Sequence, residues 1–199
     1  MVASACKIIE GLLAIHEFTV TRDAESRQRQ SPSTPAWEQR KLREVAPLQR
    51  GFDLPVSQME PGPYPVVMSN GIGGYHSTYK VKGPGVVTGR SGTIGGLQFI
   101  DGNYWPHNTS LWVTKFKDVL PKFAYYLYEM VHLERFGTGS GVPTLNRNDV
   151  HDQTATFPVS HVEQERISTF IDQLDSLITL HQREPPRMMK EGKNANQYQ

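Results

Sequence analysis

The sequence predicts an α+β protein, with an irregular mixed-sheet body followed by one long, projecting helix of coiled-coil type. Three observations carry this expectation. The 17 glycines and 14 prolines among 199 residues favour turns and short strands over a helical bundle. Between Tyr64 and Thr114, short β-branched or aromatic runs alternate with glycine-bearing turns. After Ser160, apolar residues fall into heptad spacing.

At about 100–200 residues per domain, the length fits one domain with an appendage. Hydrophobic residues at 37%, charged residues at 21% and a mean hydropathy of −0.49 place the chain among soluble, folded proteins. No apolar run approaches the ~18 residues needed to cross a bilayer. Ala3-Ser4-Ala5-Cys6 is only faintly like a lipoprotein cleavage site, because no apolar stretch precedes it and the charged Lys7 and Glu10 come directly after it. Cys6 is the single cysteine, which excludes an intrachain disulfide and a cysteine-built zinc site, so a reduced, cytoplasmic setting is expected.

Taken in order, Ile8, Ile9, Leu12, Leu13 and Ile15 give residues 1–20 the spacing of a short amphipathic helix. Thr21 to Pro35 is rich in Arg, Gln, Ser and Pro and reads as a linker, so 1–36 is assigned as an N-terminal extension. Trp37, Leu42, Val45 and Leu48 then resume an apolar, helix-like spacing that Pro47 ends. Strands are expected at Tyr64 to Met68, Tyr75 to Val81, Gly85 to Thr88, Leu97 to Ile100 and Ser110 to Thr114. Asp118 is placed to N-cap a helix whose first turn contains Pro121, whose face is Phe123, Leu127, Met130 and Val131, and whose C-cap is Gly137. Gly137 to Gly141 forms a polar loop, Val142 to Val150 a short connection, and Thr154 to Pro158 a last strand. The body therefore spans 37–159.

Residues 160–184 carry the clearest local signal. Ser160 and Glu163 form a capping box, and Glu163 and Glu165 lie at the positive end of the helix dipole. Ile167, Phe170, Leu174, Leu177 and His181 occupy heptad a and d positions, with Ile171 and Ile178 widening the stripe, so a partner helix is expected. An amphipathic helix lying on its own domain is the alternative. At 1.5 Å per residue the stretch from His161 to Glu184 is about 36 Å long. Pro185-Pro186 ends it, and 185–199 reads as a tail.

No catalytic constellation emerges. Gly89-Arg90-Ser91-Gly92-Thr93-Ile94-Gly95-Gly96 lacks the Gly-Lys-Ser/Thr ending of a P-loop and the spacing of a dinucleotide-binding turn. Neither Ser91 nor Ser140 sits in a nucleophile elbow. The seven histidines show no i, i+4 pairing, so no metal and no cofactor is expected.

Charge is nearly balanced, at +1 overall, but its distribution is not. From Gly62 to Lys117 the chain carries Lys80, Lys82, Arg90, Lys115 and Lys117 against the lone acid Asp101, whereas the last helix holds five acids and two bases. That asymmetry suits a polyanion-binding body with a separate protein-contacting arm. The loops at 69–71, 88–93, 104–109 and 138–148 supply Asn, Arg, Ser, Thr and His, the residue types that reach base edges and clasp phosphates.

Several stretches, in order, resemble the specificity subunit of type I restriction-modification systems. They are Trp37-Glu38-Gln39-Arg40-Lys41-Leu42 with Arg50-Gly51-Phe52; Gly83 to Gly95; Trp105-Pro106-His107-Asn108-Thr109-Ser110-Leu111; Gly139-Ser140-Gly141-Val142-Pro143; and Phe157-Pro158 leading into Glu163-Gln164-Glu165-Arg166-Ile167 and Leu174-Asp175. The resemblance covers about Trp37 to Glu184 and implies one target recognition domain followed by one spacer helix. Such subunits normally carry two of each, so this chain looks like a half-subunit, a truncated product or a silent cassette. Residues 1–36 do not resemble the family.

The resemblance implies a non-catalytic subunit that recognises duplex DNA, with methylation and cleavage supplied by the modification subunits and, through them, the restriction subunit. A second recognition half or a homodimer would complete the split site. Polarity and loop position nominate Arg90, Asn108, Ser140, Asn146 and Arg147 as base readers, with Lys80, Lys82 and Lys115 on phosphates. The alternatives are a protein-interaction module or an inactive cassette that no longer binds DNA.

Overall fold

The computed structural model describes residues 36–139 and 141–183. The helix and linker expected before Ala36, the nominated Ser140 and the expected tail lie outside these residues. The described chain runs β1 (Trp37–Lys41), α1 (Leu42–Val45), β2 (Leu48–Arg50), β3 (Tyr64–Met68), β4 (Gly71–His76), β5 (Gly85–Gly89), β6 (Leu97–Ile100), β7 (Trp105–Pro106), β8 (Ser110–Val113), α2 (Pro121–Val131), β9 (Gly137–Thr138), β10 (Thr144–Leu145), α3 (Arg147–His151), β11 (Thr154–Pro158) and α4 (His161–Arg183). This is the α+β class expected.

The strands form several small sheets. An antiparallel sheet of order β2-β8-β5-β6 is the centre. A second sheet, β4-β3-β7, is mixed: β3 pairs antiparallel with β4 and parallel with β7. β5 explains why both layers exist. All five of its residues are buried, Val86 packing with Leu111, Phe123 and Leu127 on the α2 side and Val87 packing with Val67 and Tyr104 on the other. A strand buried on both faces reads as an uninterrupted apolar run.

The helix-like spacing of Trp37 to Leu48 is overturned. Trp37–Lys41 is a strand paired antiparallel with β11, from Trp37 opposite Pro158 to Lys41 opposite Thr154, and only Leu42–Val45 is helical. The partner lies more than a hundred residues away, so local spacing cannot reveal it. The strand expected at Tyr75 to Val81 lies earlier. Gly71–His76 pairs with β3, and Val81 makes only a single bridge to Tyr104. Glycines in β4 had read as a turn. At Gly73 a Cβ would lie 2.3 Å from Met68 Sδ, so glycine there makes room for the Met68 side chain.

The ends of α2 also differ from expectation. Its N-cap is Leu120, without a side-chain cap, and Asp118 is in the left-handed region at φ 62° with its carboxylate 2.8 Å from Arg40 Nη1. The orphan N–H of Leu120 instead donates to Gln164 Oε1 of α4 at 2.8 Å. At the other end His132, also left-handed at φ 53°, stops the helix five residues before Gly137.

α4 begins as the capping box implies in one direction only. Glu163 N–H donates to Ser160 Oγ at 3.4 Å, whereas the Glu163 carboxylate accepts from Trp37 Nε1 at 3.0 Å. Gln164, Ser168 and Ile171 form its buried face, with Ile171 against Tyr126 of α2. Tyr126 Oη donates to Asp172 at 2.5 Å, and Lys122 lies 3.0 Å from the same carboxylate. Of the heptad positions, Ile167 packs within the chain, Leu174 is half-buried, and Phe170, Leu177 and His181 are exposed. No described helix is long and apolar enough to cross a membrane.

Candidate nucleic-acid interface

Three hairpin or strand-end loops and the β9–β10 segment meet at one end of the central sheet, and Thr109 joins them. Its carbonyl accepts N–H bonds from Arg90 at 2.9 Å and Ser91 at 3.1 Å, and its Oγ1 accepts the Ser69 N–H at 3.3 Å. On the far side of the Arg90 loop, Leu145 N–H donates to Arg90 O at 2.7 Å and Gly92 N–H to Pro143 O at 3.0 Å, while Ser91 bridges Thr144. The backbone carrying Arg90 is therefore clamped from both sides. Glycine is required for this approach: a Cβ on Gly89 would lie 1.9 Å from Thr93 O, and Gly92 has φ +84°.

Arg90 is half-buried, and Asn146 and Arg147 are exposed at the start of α3, next to the Leu145 that bonds Arg90. Among the described residues Arg90 and Arg147 make no ion pair, whereas Lys41 and Arg43 are paired with Asp152, Arg40 with Glu38, Glu44 and Asp118, and Arg50 with Asp53. A cation without a carboxylate partner keeps its donors for another anion. Asn146 Oδ1 accepts the Asn148 N–H at 3.0 Å, which holds the side chain and leaves its NH₂ donors outward-capable. Asn108 is close to the cluster, but its Nδ2 already donates to Asp53 Oδ1.

The nominated lysines are not gathered here. Lys82 lies before β5 and Lys115 after β8, at the ends of these strands opposite Gly89 and Ser110. Lys80 Nζ stands 4.9 Å over the Trp105 ring and 6.0 Å from that of Phe52. The residues that organise the cluster, Thr109, His107 and Ser69, were not nominated; Ser69 and Thr109 are 40 positions apart. No local pattern distinguishes them from ordinary loop residues.

His107 supports Thr109 as a neutral ring. Its Nδ1 is 3.0 Å from Thr109 Oγ1 and accepts the Thr109 N–H at 3.4 Å. Burial lowers its pKa from the ordinary 6.5, opposed by a backbone hydrogen bond to Leu54. His151 is lowered as well, first by burial and then by Arg147 and Arg43, while its Nε2 accepts the Leu48 N–H at 2.8 Å. Both histidines hold fewer protons folded than unfolded below pH 6.5, so stability is complete above that pH and declines as pH falls from it. Denaturant midpoints taken between about pH 7.5 and 5.5 will show this slope, and His151→Gln will flatten it. A variant slope equal to that of the parent would remove His151 from the account.

A model of the type I restriction modification DNA specificity domain family matches residues 35–187. No curated protein matches the sequence. Among solved structures, the chain is similar to a type I restriction-modification S subunit from M. genitalium, at 17% identity and a TM-score of 0.62, over 77% of this chain and 43% of that one. It is also similar to the HsdS subunit from Thermoanaerobacter tengcongensis, at 13% identity and a TM-score of 0.61, over 94% and 52%. A third, from a study of type I R-M complex assembly and conformational transition, gives 14% identity and a TM-score of 0.61, over 92% and 52%. The chain thus spans about half the length of these structures, and with them it shares its fold. Taking in all of the described body and α4, the family match settles the affiliation: the chain belongs to the type I restriction modification DNA specificity domain family.

Proposed function

We propose that this chain recognises duplex DNA as a specificity subunit, or half-subunit, of a type I restriction-modification complex. The body, 37–159, reads the DNA, and the helix of 160–184 is the spacer that pairs with a second helix. Modification subunits would methylate adenine where this chain directs them, and the restriction subunit would join through them. The observation that carries this reading is the convergence of polar loops on Thr109, which brings Arg90 next to the start of α3, where Arg147 stands, both without carboxylate partners. Arg90, with its backbone clamped, is the base reader. Arg147 supplies a phosphate contact next to it, and Lys80, Lys82 and Lys115, which stand apart from this cluster, supply further ones.

Salt dependence tests this directly. Each phosphate neutralised on B-form DNA contributes about −0.9 to the slope of log affinity against log salt, so four cations give about −3 to −4. A titration of duplex DNA across a salt series, with modification subunits present, will show that slope. A flat response would favour the protein-interaction reading, in which α4 binds a partner and the body binds no DNA.

A further inference from the structure

The backbone of His107 is fixed on both sides. Its N–H donates to Val67 O at 2.9 Å, and its carbonyl accepts the Ser110 N–H at 2.9 Å and the Ser110 hydroxyl at 2.7 Å. Gly51 lies against the same carbonyl so closely that a Cβ there would stand 2.1 Å from it. A rigid turn therefore aims the imidazole at Thr109, two residues on.

The donors around the ring set its protonation state. Thr109 N–H donates to Nδ1 at 3.4 Å, so Nδ1 carries a lone pair and the ring proton sits on Nε2. Thr109 Oγ1, 3.0 Å from the same Nδ1, accepts the Ser69 N–H at 3.3 Å and keeps its own proton to give. A chain of hydrogen bonds results, from Ser69 N–H through the Thr109 hydroxyl to His107 Nδ1. The carbonyl of the same Thr109 holds the Arg90 and Ser91 N–H groups.

A proton on Nδ1 reverses this chain. Nδ1 becomes a donor, Thr109 N–H faces a proton where it had a lone pair, and Oγ1 has to accept from two sides. Thr109 cannot keep its place under those conditions, and the Arg90 loop loses its anchor. Two charged side chains act on the ring from the β2 end: Asp53 favours the proton and Arg50 opposes it. Asp53 is itself engaged by Asn108 and Arg50, and Val67 and Ser69, from the β3 hairpin, bring no charge.

We propose that His107 is a positioning residue for DNA recognition: its neutral ring holds Thr109, and through Thr109 the backbone of Arg90, in the arrangement that reads a base edge. The inference rests on the DNA-recognising role proposed above. Arg147, Lys80, Lys82 and Lys115 stand outside this chain of bonds. Protonating the ring should therefore cost sequence discrimination and spare non-specific affinity, to which an added positive charge contributes.

The full chain, isotope-labelled and without DNA, is titrated by NMR between about pH 7.5 and 5.5. The amide signals of Ser69, Thr109 and Arg90 should move with the midpoint of the His107 ring. Over the same range the affinity for a preferred duplex relative to a scrambled one should fall about three- to tenfold, since one linked proton changes affinity by at most about tenfold per pH unit. His107→Asn brings an amide oxygen toward the place of Nδ1, an acceptor that does not titrate, so its ratio should be the same at both ends of the range. His107→Leu has no acceptor and should show the low ratio throughout. Amide signals that ignore the His107 titration, or a His107→Asn ratio that falls as the parent's does, would overturn the proposal. Absence of DNA binding at every pH would count against DNA recognition alone, with the amide titration still deciding whether His107 holds Thr109 and Arg90.

Discussion

Replacing Gln164 by methionine will lower the stability of the folded chain by about 3–5 kcal/mol, because three backbone groups lose a partner at about 1–3 kcal/mol each, toward the low end for those of the half-buried Leu120 and the exposed Asp118. Gln164 is fully buried; its Oε1 accepts from Leu120 N–H, and its Nε2 donates to Asp118 O and Pro158 O, both at 2.9 Å. These bonds join the start of α4, the end of β11 and the uncapped start of α2. Methionine preserves volume and removes all three. At about 2–4 °C per kcal/mol for a domain of this size, the melting temperature should fall by roughly 6–20 °C. Calorimetry or denaturant titration of both proteins checks this, and a loss under about 1 kcal/mol would show that water takes over the orphaned groups. Ser168→Ala is a useful comparison, since Ser168 Oγ donates only to the Gln164 carbonyl at 2.9 Å within the same helix.

Arg90→Ala and Arg147→Ala will weaken DNA binding in different ways. Arg90 is held by the bonds of Thr109 and Leu145 to its backbone, the immobilisation that directional reading of a base edge needs. Its loss should cost about 1–3 kcal/mol on the preferred sequence and less on others, so specificity relaxes. Arg147, exposed on the first turn of α3, should act as a phosphate contact: the loss is uniform and the salt slope falls by about 1. Enrichment from a randomised duplex library, followed by titration of preferred and scrambled sequences, separates the two patterns. If Arg90→Ala lowers affinity equally on every sequence, Arg90 is a phosphate contact, and base reading passes to Asn146 or to the loop around Ser140.

Asn108 illustrates the limit of nomination by residue type. Its amide has the donors a base reader needs, yet Asp53, 55 positions away, already takes one of them. Using Asn108 on DNA would first require that bond to be released, and Asp53 is then a carboxylate facing a phosphate backbone. Arg50 shares the same acid at 3.3 Å. Nothing local distinguishes Asn108 from Asn146, whose own oxygen caps α3 and whose NH₂ makes no hydrogen bond among the described residues.

The sequence by itself determined what short-range physics controls. Glycine and proline punctuation marked Tyr64–Met68, Leu97–Ile100 and Thr154–Pro158 as strands with their observed bounds, because turn residues interrupt β-favouring runs on both sides. Heptad spacing after Ser160 marked a helix, and the described chain is helical from His161 to its last described residue, Arg183. The resemblance of ordered stretches gave the family. Only the tertiary structure decided the rest, since each remaining feature is a contact between distant positions. β1 is a strand because β11 pairs with it, despite a spacing that reads as helical. α2 begins at Pro121 because Gln164 takes the Leu120 N–H, with no help from Asp118. The candidate interface exists because the Ser69, Arg90 and Thr144 segments close on Thr109 or on one another through hydrogen bonds donated by backbone N–H groups. Backbone N–H and C=O groups are the same at every residue, so the side-chain pattern of a loop does not encode which distant carbonyl its amide will find.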